Sequence, residues 1–358
     1  MAVAFHTLKV ADVRRETPDA VSIAFAVPPE LAEDYRFHPG QHLTLRRQCD
    51  GQDIRRSYSI CAGLDDRELR VAVKKVDGGV FSTLCNEVIR PGDIIEVMTP
   101  QGRFGVMPDA AAARTYLAVA AGSGITPVLS LLRSVLTREP NSQFMLIYGN
   151  RTAKDIIFKE ALEDLKDQFI GRLVVHHVLS REQQDIELFN GRIESAKIEV
   201  LLKSFAPANK IDHAFLCGPG AMIEDARATL KRLGTPDGHI HIEYFSTDGI
   251  PIAPRRAAVT ANADQPVAHA HVTLHGSAYD IPMLDGETVI DAGERMGLEM
   301  PYSCRGGMCC TCRAKLVSGE VEMAVNYSLE PWEKEAGYVL TCQARPLTKE
   351  IVVDYDEV

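Results

Sequence analysis

Four cysteines, Cys304, Cys309, Cys312 and Cys342, constrain this chain more than any other feature. Their spacing, C-x4-C-x2-C followed much later by a fourth cysteine, is that of a [2Fe–2S] ligand set. Two irons need four thiolates converging on them, and one tight loop can supply three. The fourth must arrive on a segment that folds back from far along the chain. The loop reads Cys304-Arg-Gly-Gly-Met-Cys-Cys-Thr-Cys312, in which Gly306 and Gly307 let the backbone curl and turn amides toward the sulfurs. Structural zinc usually takes two short C-x2-C pairs, and only one is present here. Cys310 lies inside the loop but off the ligand register, as a small filler residue.

The rest of the chain has to accommodate that site. At 358 residues it has room for two or three domains. No apolar run of about 18 residues is present, so no membrane span is expected. The start of the sequence lacks the basic region and long apolar core of a secretory signal. The other cysteines (Cys49, Cys61, Cys85, Cys217 and Cys310) show no pairing pattern. A reducing, cytoplasmic setting is therefore expected. The net charge is −10, of which −8 falls between His269 and Val358. Nucleic-acid binding needs a basic footprint and is not expected. The acidic C-terminal quarter suits docking on a basic patch of a redox partner, or is simply a solvated surface.

Three rhythms run along the chain. Up to about residue 100, short alternating segments such as Ser22–Val27, His42–Leu45 and Leu69–Lys74 are separated by turn signals at Pro39-Gly40, Asp77-Gly78-Gly79 and Pro91-Gly92. That spacing predicts an antiparallel barrel. From Thr115 the pattern becomes strand, glycine loop, helix. Tyr116–Ala121 is a continuous apolar run, followed by Gly122-Ser-Gly-Ile-Thr-Pro127 and a periodic helix from Val128 to Thr137. Strands at Phe144–Tyr148, Leu173–Leu179 and His213–Leu216, with a helix at Phe158–Gln168, predict an α/β parallel sheet. Residues 247–268 are Ala-, Pro- and Arg-rich with little periodicity, as in a linker. The expected divisions are 1–108, 109–246, the linker 247–268, and 269–358.

Chemistry-bearing residues sit at the joints of these modules. Arg56-Ser-Tyr-Ser59 offers a guanidinium for phosphate oxygens, an aromatic face at Tyr58 and a hydroxyl at Ser59, a set that suits a flavin dinucleotide. Alone it could be an ordinary polar strand. It gains weight from Gly79-Val-Phe-Ser82, a glycine turn opening a helix whose free amides can hold pyrophosphate. Gly122-Ser-Gly-Ile-Thr-Pro127 follows a buried strand and opens a helix, the position of a phosphate loop. Pro127 stands where the dinucleotide fingerprint has its third glycine. Cys217-Gly-Pro-Gly220 ends another strand at the same carboxyl edge, where open α/β sheets bind ligands. Ser180-Arg181 could grip an adenosine 2′-phosphate, which favours NADPH over NADH, or could be a helix cap with an exposed arginine.

In combination and order, Arg56-x-Tyr-Ser59, Gly79-x-x-Ser82, Gly122-x-Gly-x-Thr-Pro127 and Cys217-Gly-Pro-Gly220 resemble the ferredoxin–NADP reductase superfamily, and the cysteine loop resembles a fused plant-type ferredoxin. The resemblance covers nearly the whole chain. It implies an antiparallel β-barrel FAD domain, an α/β parallel-sheet NADP domain and an α+β, β-grasp-like [2Fe–2S] domain. Tyr35-Arg-Phe-His-Pro-Gly-Gln-His-Leu-Thr-Leu45, Ile147–Thr152, Asn326–Pro331 and Gly337–Ala344 are similar to a narrower family, the reductase subunits of phenylacetyl-CoA epoxidase complexes. The implied cofactors are FAD, the [2Fe–2S] cluster and NADPH. The implied partners are the diiron oxygenase subunits of such a complex.

The implied roles fall residue by residue. Arg56, Tyr58 and Ser59 would hold FAD, with Gly79 and Ser82 at its pyrophosphate. Gly122, Gly124, Thr126, Pro127 and Gly218 would receive the nicotinamide nucleotide, and Ser180 with Arg181 its 2′-phosphate. Ser59, Cys217 and Glu243 would stand beside the reacting rings, with Phe245 closing the flavin side. Cys304, Cys309, Cys312 and Cys342 would ligate iron. The same modules serve Rieske dioxygenases and desaturases, so the oxygenase rests on the local likeness alone. A non-catalytic scaffold protein would have no need of a complete cysteine set and both nucleotide loops.

Overall fold

The computed structural model describes residues 4–49, 51–246 and 265–357. Of the expected linker, residues 247–264 lie outside the described residues. The chain divides into two compact units, the first holding most of the N-terminal barrel and the parallel sheet, the second holding the C-terminal mixed sheet.

The barrel is built from β1 (Phe5–Thr17), β2 (Ala20–Ala26), β3 (His42–Cys49), β4 (Gln52–Ser59), β5 (Leu69–Lys74), the helix α1 (Val80–Glu87) and β6 (Ile94–Met98). Its six strands run in the order β4-β3-β6-β1-β2-β5. A bridge between Ile60, just past β4, and Val71 of β5 joins the two ends and closes the sheet. Inward-facing Leu8, Val10, Val21, Ile23, Leu43, Leu45, Val71 and Val97 fill it. Sequence periodicity had no strand over β1. That strand carries Arg14 and Arg15 and breaks register twice, between Val10 and Asp12 and between Arg15 and Thr17, so its alternation is interrupted.

The parallel sheet follows: β7 (Thr115–Ala121), α2 (Ile125–Arg138), β8 (Gln143–Asn150), α3 (Lys159–Gln168), β9 (Leu173–Leu179), α4 (Ser195–Lys203), β10 (His213–Pro219), α5 (Gly220–Arg232) and β11 (Ile240–Ser246). Successive β7 residues alternate between two cores, Tyr116, Ala118 and Ala120 on one side, Leu117 and Val119 on the other. That two-sided burial is why the run reads as continuously apolar. The helix α2 begins at Ile125, three residues before its apolar periodicity, after a 3-10 turn over Gly122–Gly124. Pro127 is tolerated in its first turn, where an amide hydrogen would lack a helical partner. Phe158, expected inside α3, instead precedes it in the left-handed conformation (φ 62°) with its ring buried. The Ser130 hydroxyl donates to the Ala62 carbonyl at 2.7 Å, and Arg138 grips Asp65 through two hydrogen bonds of 2.9 Å, so α2 fastens this sheet to the barrel.

The C-terminal unit contains β12 (Ala268–Leu274), β13 (Ser277–Met283), α6 (Val289–Arg295), β14 (Arg313–Ser318), β15 (Val321–Met323), α7 (Pro331–Glu335), β16 (Tyr338–Leu340), β17 (Ala344–Pro346) and β18 (Glu350–Asp354). Its five-stranded sheet has the order β13-β12-β18-β14-β16, with β12 and β18 parallel and the other pairs antiparallel. The helix α6 starts with a capping box, Thr288 and Asp291 exchanging hydrogen bonds, and packs Val289, Ile290 and Ala292 onto the sheet. A mixed sheet with α6 packed across it is the β-grasp arrangement expected. Among the described residues no helix is long and apolar enough to cross a membrane.

Candidate functional site

The parallel sheet has the order β11-β10-β7-β8-β9, so its direction of growth reverses between β7 and β10. At such a switch point the loops leaving neighbouring strands diverge and open a crevice at the carboxyl edge. The loops singled out from sequence leave these two strands. They also touch. A Cβ on Gly124 would lie 2.2 Å from the Cys217 carbonyl oxygen, so only glycine lets α2 begin this close to β10. The neighbouring Gly122 has φ +54° and open space over its Cα. Its carbonyl accepts a 2.9 Å hydrogen bond from the buried Tyr148 hydroxyl, which fixes the turn from below. The Thr126 hydroxyl donates to the Ser123 carbonyl at 3.0 Å and braces the same turn from the helix side.

Cys217 is paired in register with Glu243 of β11. Burial, with the Glu243 carboxylate adding to it, pushes the Cys217 thiol well up, so the sulfur keeps its proton. The Ser59 hydroxyl, at the end of β4, donates to Glu243 Oε2 at 3.3 Å. Ser59 and Glu243 thus meet where barrel and sheet meet, Cys217 lies beside Glu243 in register, and Phe245 packs against the α2-side core. On β9's side, Ser180 donates through its amide (3.0 Å) and its hydroxyl (3.3 Å) to the Asn150 carbonyl. The Arg181 amide donates to the Arg151 carbonyl at 2.8 Å, so two exposed arginines leave adjacent strands together. Sequence reading named Arg181 and missed Arg151. Its signal was the same, a basic residue directly past a strand. Glu182 comes next, and its carboxylate accepts the Ala153 amide at 2.8 Å.

Within the barrel, Tyr58 packs its ring 6.1 Å from Phe81 of α1. Arg56 is exposed and donates to the Arg55 carbonyl at 2.7 Å. Gly79 caps α1 as expected, but the Ser82 hydroxyl is engaged locally. It accepts the Val76 amide at 3.1 Å and donates to the Gly79 carbonyl at 3.2 Å. Ser82 therefore braces the turn that presents the first amides of α1. Two features fit a bound dinucleotide here. Val76 and Val80, flanking the turn, are 61% and 56% exposed, an apolar rim for a flat ring. Arg47, in register with interior-facing Leu43 and Leu45, has a buried Nη1 without a hydrogen-bond partner among the described residues.

In the C-terminal unit the cysteines come in pairs. Cys309 donates to Cys304, and Cys312 to Cys342. The hydrogen bond from Cys309, helped by the Gly306 and Met308 amides at 3.3 and 3.4 Å, pulls the Cys304 thiol down to about 7 against the opposing effect of burial. Cys342 is likewise lowered, by Cys312 first and then by the Gln343 side chain and the Gly307 amide. Their partners Cys309 and Cys312 are raised. Binding a metal would displace the protons of these thiols. Among the described residues no three His, Cys, Asp or Glu side chains gather round a single ion position. Two thiol pairs within mutual electrostatic reach suit a binuclear cluster, which takes two thiolates per iron.

The backbone around the pairs is built to hold them. Gly307 (φ +73°) turns where a Cβ would press on the Val325 carbonyl at 3.0 Å. Cys310 is left-handed (φ 52°) and donates its thiol to the Ser328 carbonyl at 3.3 Å, away from the ligand pairs. Gln343, missed from sequence, donates to the Arg305 carbonyl at 2.8 Å and lies 3.6 Å from the Cys342 sulfur, tying the loop to the distant cysteine. The Thr341 hydroxyl donates to the Cys312 carbonyl at 2.7 Å and receives the Tyr355 hydroxyl at 2.6 Å.

Comparison with known proteins gives this geometry its class. Residues 7–105 match the oxidoreductase FAD-binding domain, 118–228 the oxidoreductase NAD-binding domain, and 272–347 the 2Fe-2S iron-sulfur cluster binding domain. The chain is therefore an NAD(P)H-dependent oxidoreductase in which a flavin unit is joined to an iron–sulfur unit. It is 48% identical over 353 residues to a subunit of the 1,2-phenylacetyl-CoA epoxidase of Escherichia coli strain K12, covering 98% of each chain. It is 39% identical over 358 residues to the ferredoxin reductase component of 3-ketosteroid-9-alpha-monooxygenase from Mycolicibacterium smegmatis, covering 98% of this chain and 97% of that one. The solved structure of phthalate dioxygenase reductase has the same fold, with a TM-score of 0.59, 24% identity and 98% of each chain covered. The chain belongs to the family of oxygenase reductase components that carry electrons from a nicotinamide nucleotide through FAD to a [2Fe–2S] centre.

Proposed function

We propose that this chain draws electrons from NADPH and supplies them singly to the diiron oxygenase subunits of a phenylacetyl-CoA epoxidase in phenylacetate breakdown. The observation that carries the reading is the joining, in one chain, of a switch-point nucleotide crevice and a loop of paired thiols. The likeness to the Escherichia coli protein over 98% of both chains supports the choice of oxygenase. When bound, FAD takes electrons from the nicotinamide as a pair and the [2Fe–2S] cluster passes them on one at a time.

The protein's own part is to hold and orient. Arg56, Tyr58 and Ser59, with Arg47 and the α1 amides after Gly79, would hold FAD. The turn from Gly122 to Pro127 and Gly218 would receive the nucleotide diphosphate and nicotinamide. Arg181, Ser180 and Arg151 would take the 2′-phosphate, in a forked geometry that suits phosphate. Glu243 holds the Ser59 hydroxyl proton in line at the barrel edge, and Cys217 stays a neutral thiol that neither attacks nor repels a passing charge. Cys304, Cys309, Cys312 and Cys342 would hold the irons. The divisions at residues 108, 246 and 268 follow from the same reading, and the acidic 269–358 segment would dock on a basic face of the oxygenase.

The test is NADPH oxidation and product formation with the purified oxygenase and phenylacetyl-CoA. Stoichiometric epoxide, lost when either protein is omitted, is expected. NADPH-dependent dye reduction without epoxide would overturn the partner and leave the reductase, with a 3-ketosteroid monooxygenase oxygenase component as the next partner to supply.

A further inference from the structure

The strand β8 ends at the carboxyl edge between β7 and β9, and its last side chain is left without a well-formed hydrogen bond among the described residues. Asn150 is 8% exposed, and neither its Oδ1 nor its Nδ2 meets a hydrogen-bond partner among the described residues. The hydroxyl of Tyr148 is close by. Its hydrogen goes to the Gly122 carbonyl at 2.9 Å, and its oxygen faces Nδ2 as an acceptor without closing a well-formed hydrogen bond, while Oδ1 faces no donor among the described residues. The backbone of Asn150 is in use, since its carbonyl accepts both Ser180 donors. An unpaired buried amide is destabilising, and native proteins keep one chiefly where something outside the fold completes it.

Position says what completes it. In register, Gly149 lies beside Ala121, one residue before the Gly122 turn, and Asn150 lies beside Leu179, one residue before Ser180. A dinucleotide stretched from the switch point to Ser180 and Arg181 must cross the end of β8. We propose that the Asn150 carboxamide binds the central stretch of the nicotinamide dinucleotide, its diphosphate and adenosine ribose. Nδ2 donates to a phosphate or ribose oxygen, and Oδ1 accepts a ribose hydroxyl. Either half of the amide alone would leave the other unpaired, so the residue selects for a ligand with acceptor and donor side by side, as a nucleoside phosphate has. This rests on the nucleotide reading of the carboxyl edge.

The test uses the whole flavin-loaded protein with Asn150→Leu, which removes both polar atoms and keeps the branched shape, and Asn150→Ala, which adds no bulk, as a second variant. Calorimetric titration with NADP+ should give a Kd raised about tenfold or more in both. Adenosine 2′,5′-bisphosphate should weaken by a similar factor, and nicotinamide mononucleotide should bind as before. The KM for NADPH in dye reduction should rise with kcat unchanged, the signature of lost uniform binding. The nucleotide-free variants should keep their flavin and melt close to the parent, since at most the contact to the Tyr148 hydroxyl is lost. A parental Kd for NADP+ in Asn150→Leu, or weakening confined to the mononucleotide, overturns the assignment. Failure of the parent protein itself to bind NADP+ would instead overturn the nucleotide reading beneath it.

Discussion

Cys217 and Cys304 are the same residue put to opposite uses. Cys217 lies fully buried between strands, and burial raises its thiol. Cys61 and Cys85 of the same unit are also raised by burial, Cys85 to about 12. Cys304 is pulled down to about 7 because Cys309 and two backbone amides point at its sulfur. In the flavin unit low dielectric silences the side chain, and ligands are met by backbone turns at strand ends. In the iron–sulfur unit donors aimed at Cys304 overcome the same low dielectric, as a metal-binding thiolate needs. Burial by itself predicts an inert thiol, and Cys304 departs from that because a partner thiol and two amides are aimed at its sulfur.

The largest break in that contrast is Cys342→Ser. Cluster absorbance and electron delivery to an oxygenase should be abolished, while flavin content and NADPH–dye reduction stay near parental values. Loss of dye reduction with the flavin retained would mean that the two units do not divide the work. Next is Glu333→Ala. Arg313 Nε lies 2.8 Å from Glu333 Oε1, the two side chains are 8% and 3% exposed, and the guanidinium stacks on Tyr338. Removing one partner of a buried pair costs about 3–5 kcal/mol. Thermal melting followed by cluster dichroism should drop sharply, with the flavin transition unmoved.

Gly124→Ala acts on the other unit. The added methyl meets the Cys217 carbonyl at 2.2 Å, so a loss of about 1–3 kcal/mol is expected, together with weaker NADP+ binding in a titration. The last effect, small for each residue and shared among several, is that of pH. Burial depresses His42 from 6.5 to about 4, so the folded barrel resists the proton that the unfolded chain accepts. That stability is complete above the unfolded value and drains as pH falls toward the folded one. At a pH of about 5.5 the deficit from His42 should be about 1 kcal/mol. His177 and His241, both pushed to about 4 first by burial, add in the same direction. Denaturant melts at pH 7.5 and about 5.5 would check it, and equal flavin-unit stability at both would count against burial as the dominant force.

Much of this was legible because cluster ligation and phosphate binding require particular residues at short fixed spacings. The cysteine loop, the Gly122 turn and the Cys217 loop are all of that kind. What escaped depends on partners far apart in sequence. Gln343 matters through the Arg305 carbonyl, and Tyr148 through Gly122. Buried Glu139 accepts from Tyr116, Ser142 and Arg114, a network no local pattern announces. Ser82 has a local role that its spacing did not announce, its hydroxyl bridging the Val76 amide and the Gly79 carbonyl. The irregular strand β1 was hidden by its bulges, and Asn150 by looking like any polar residue at a strand end.

The parallel pairing of β12 with β18 has a consequence for how the protein is made. Residues 268–274 cannot find their neighbour until residues 350–354 have been synthesised. Chains emerge from the ribosome amino end first, and domains tend to fold as units in that order. The barrel and parallel sheet are therefore complete while the iron–sulfur unit still lacks its central strand pair. Cys342 is also among the last ligands to appear. Until residues 350–354 emerge, one edge of β12 waits open to any strand that would pair with it.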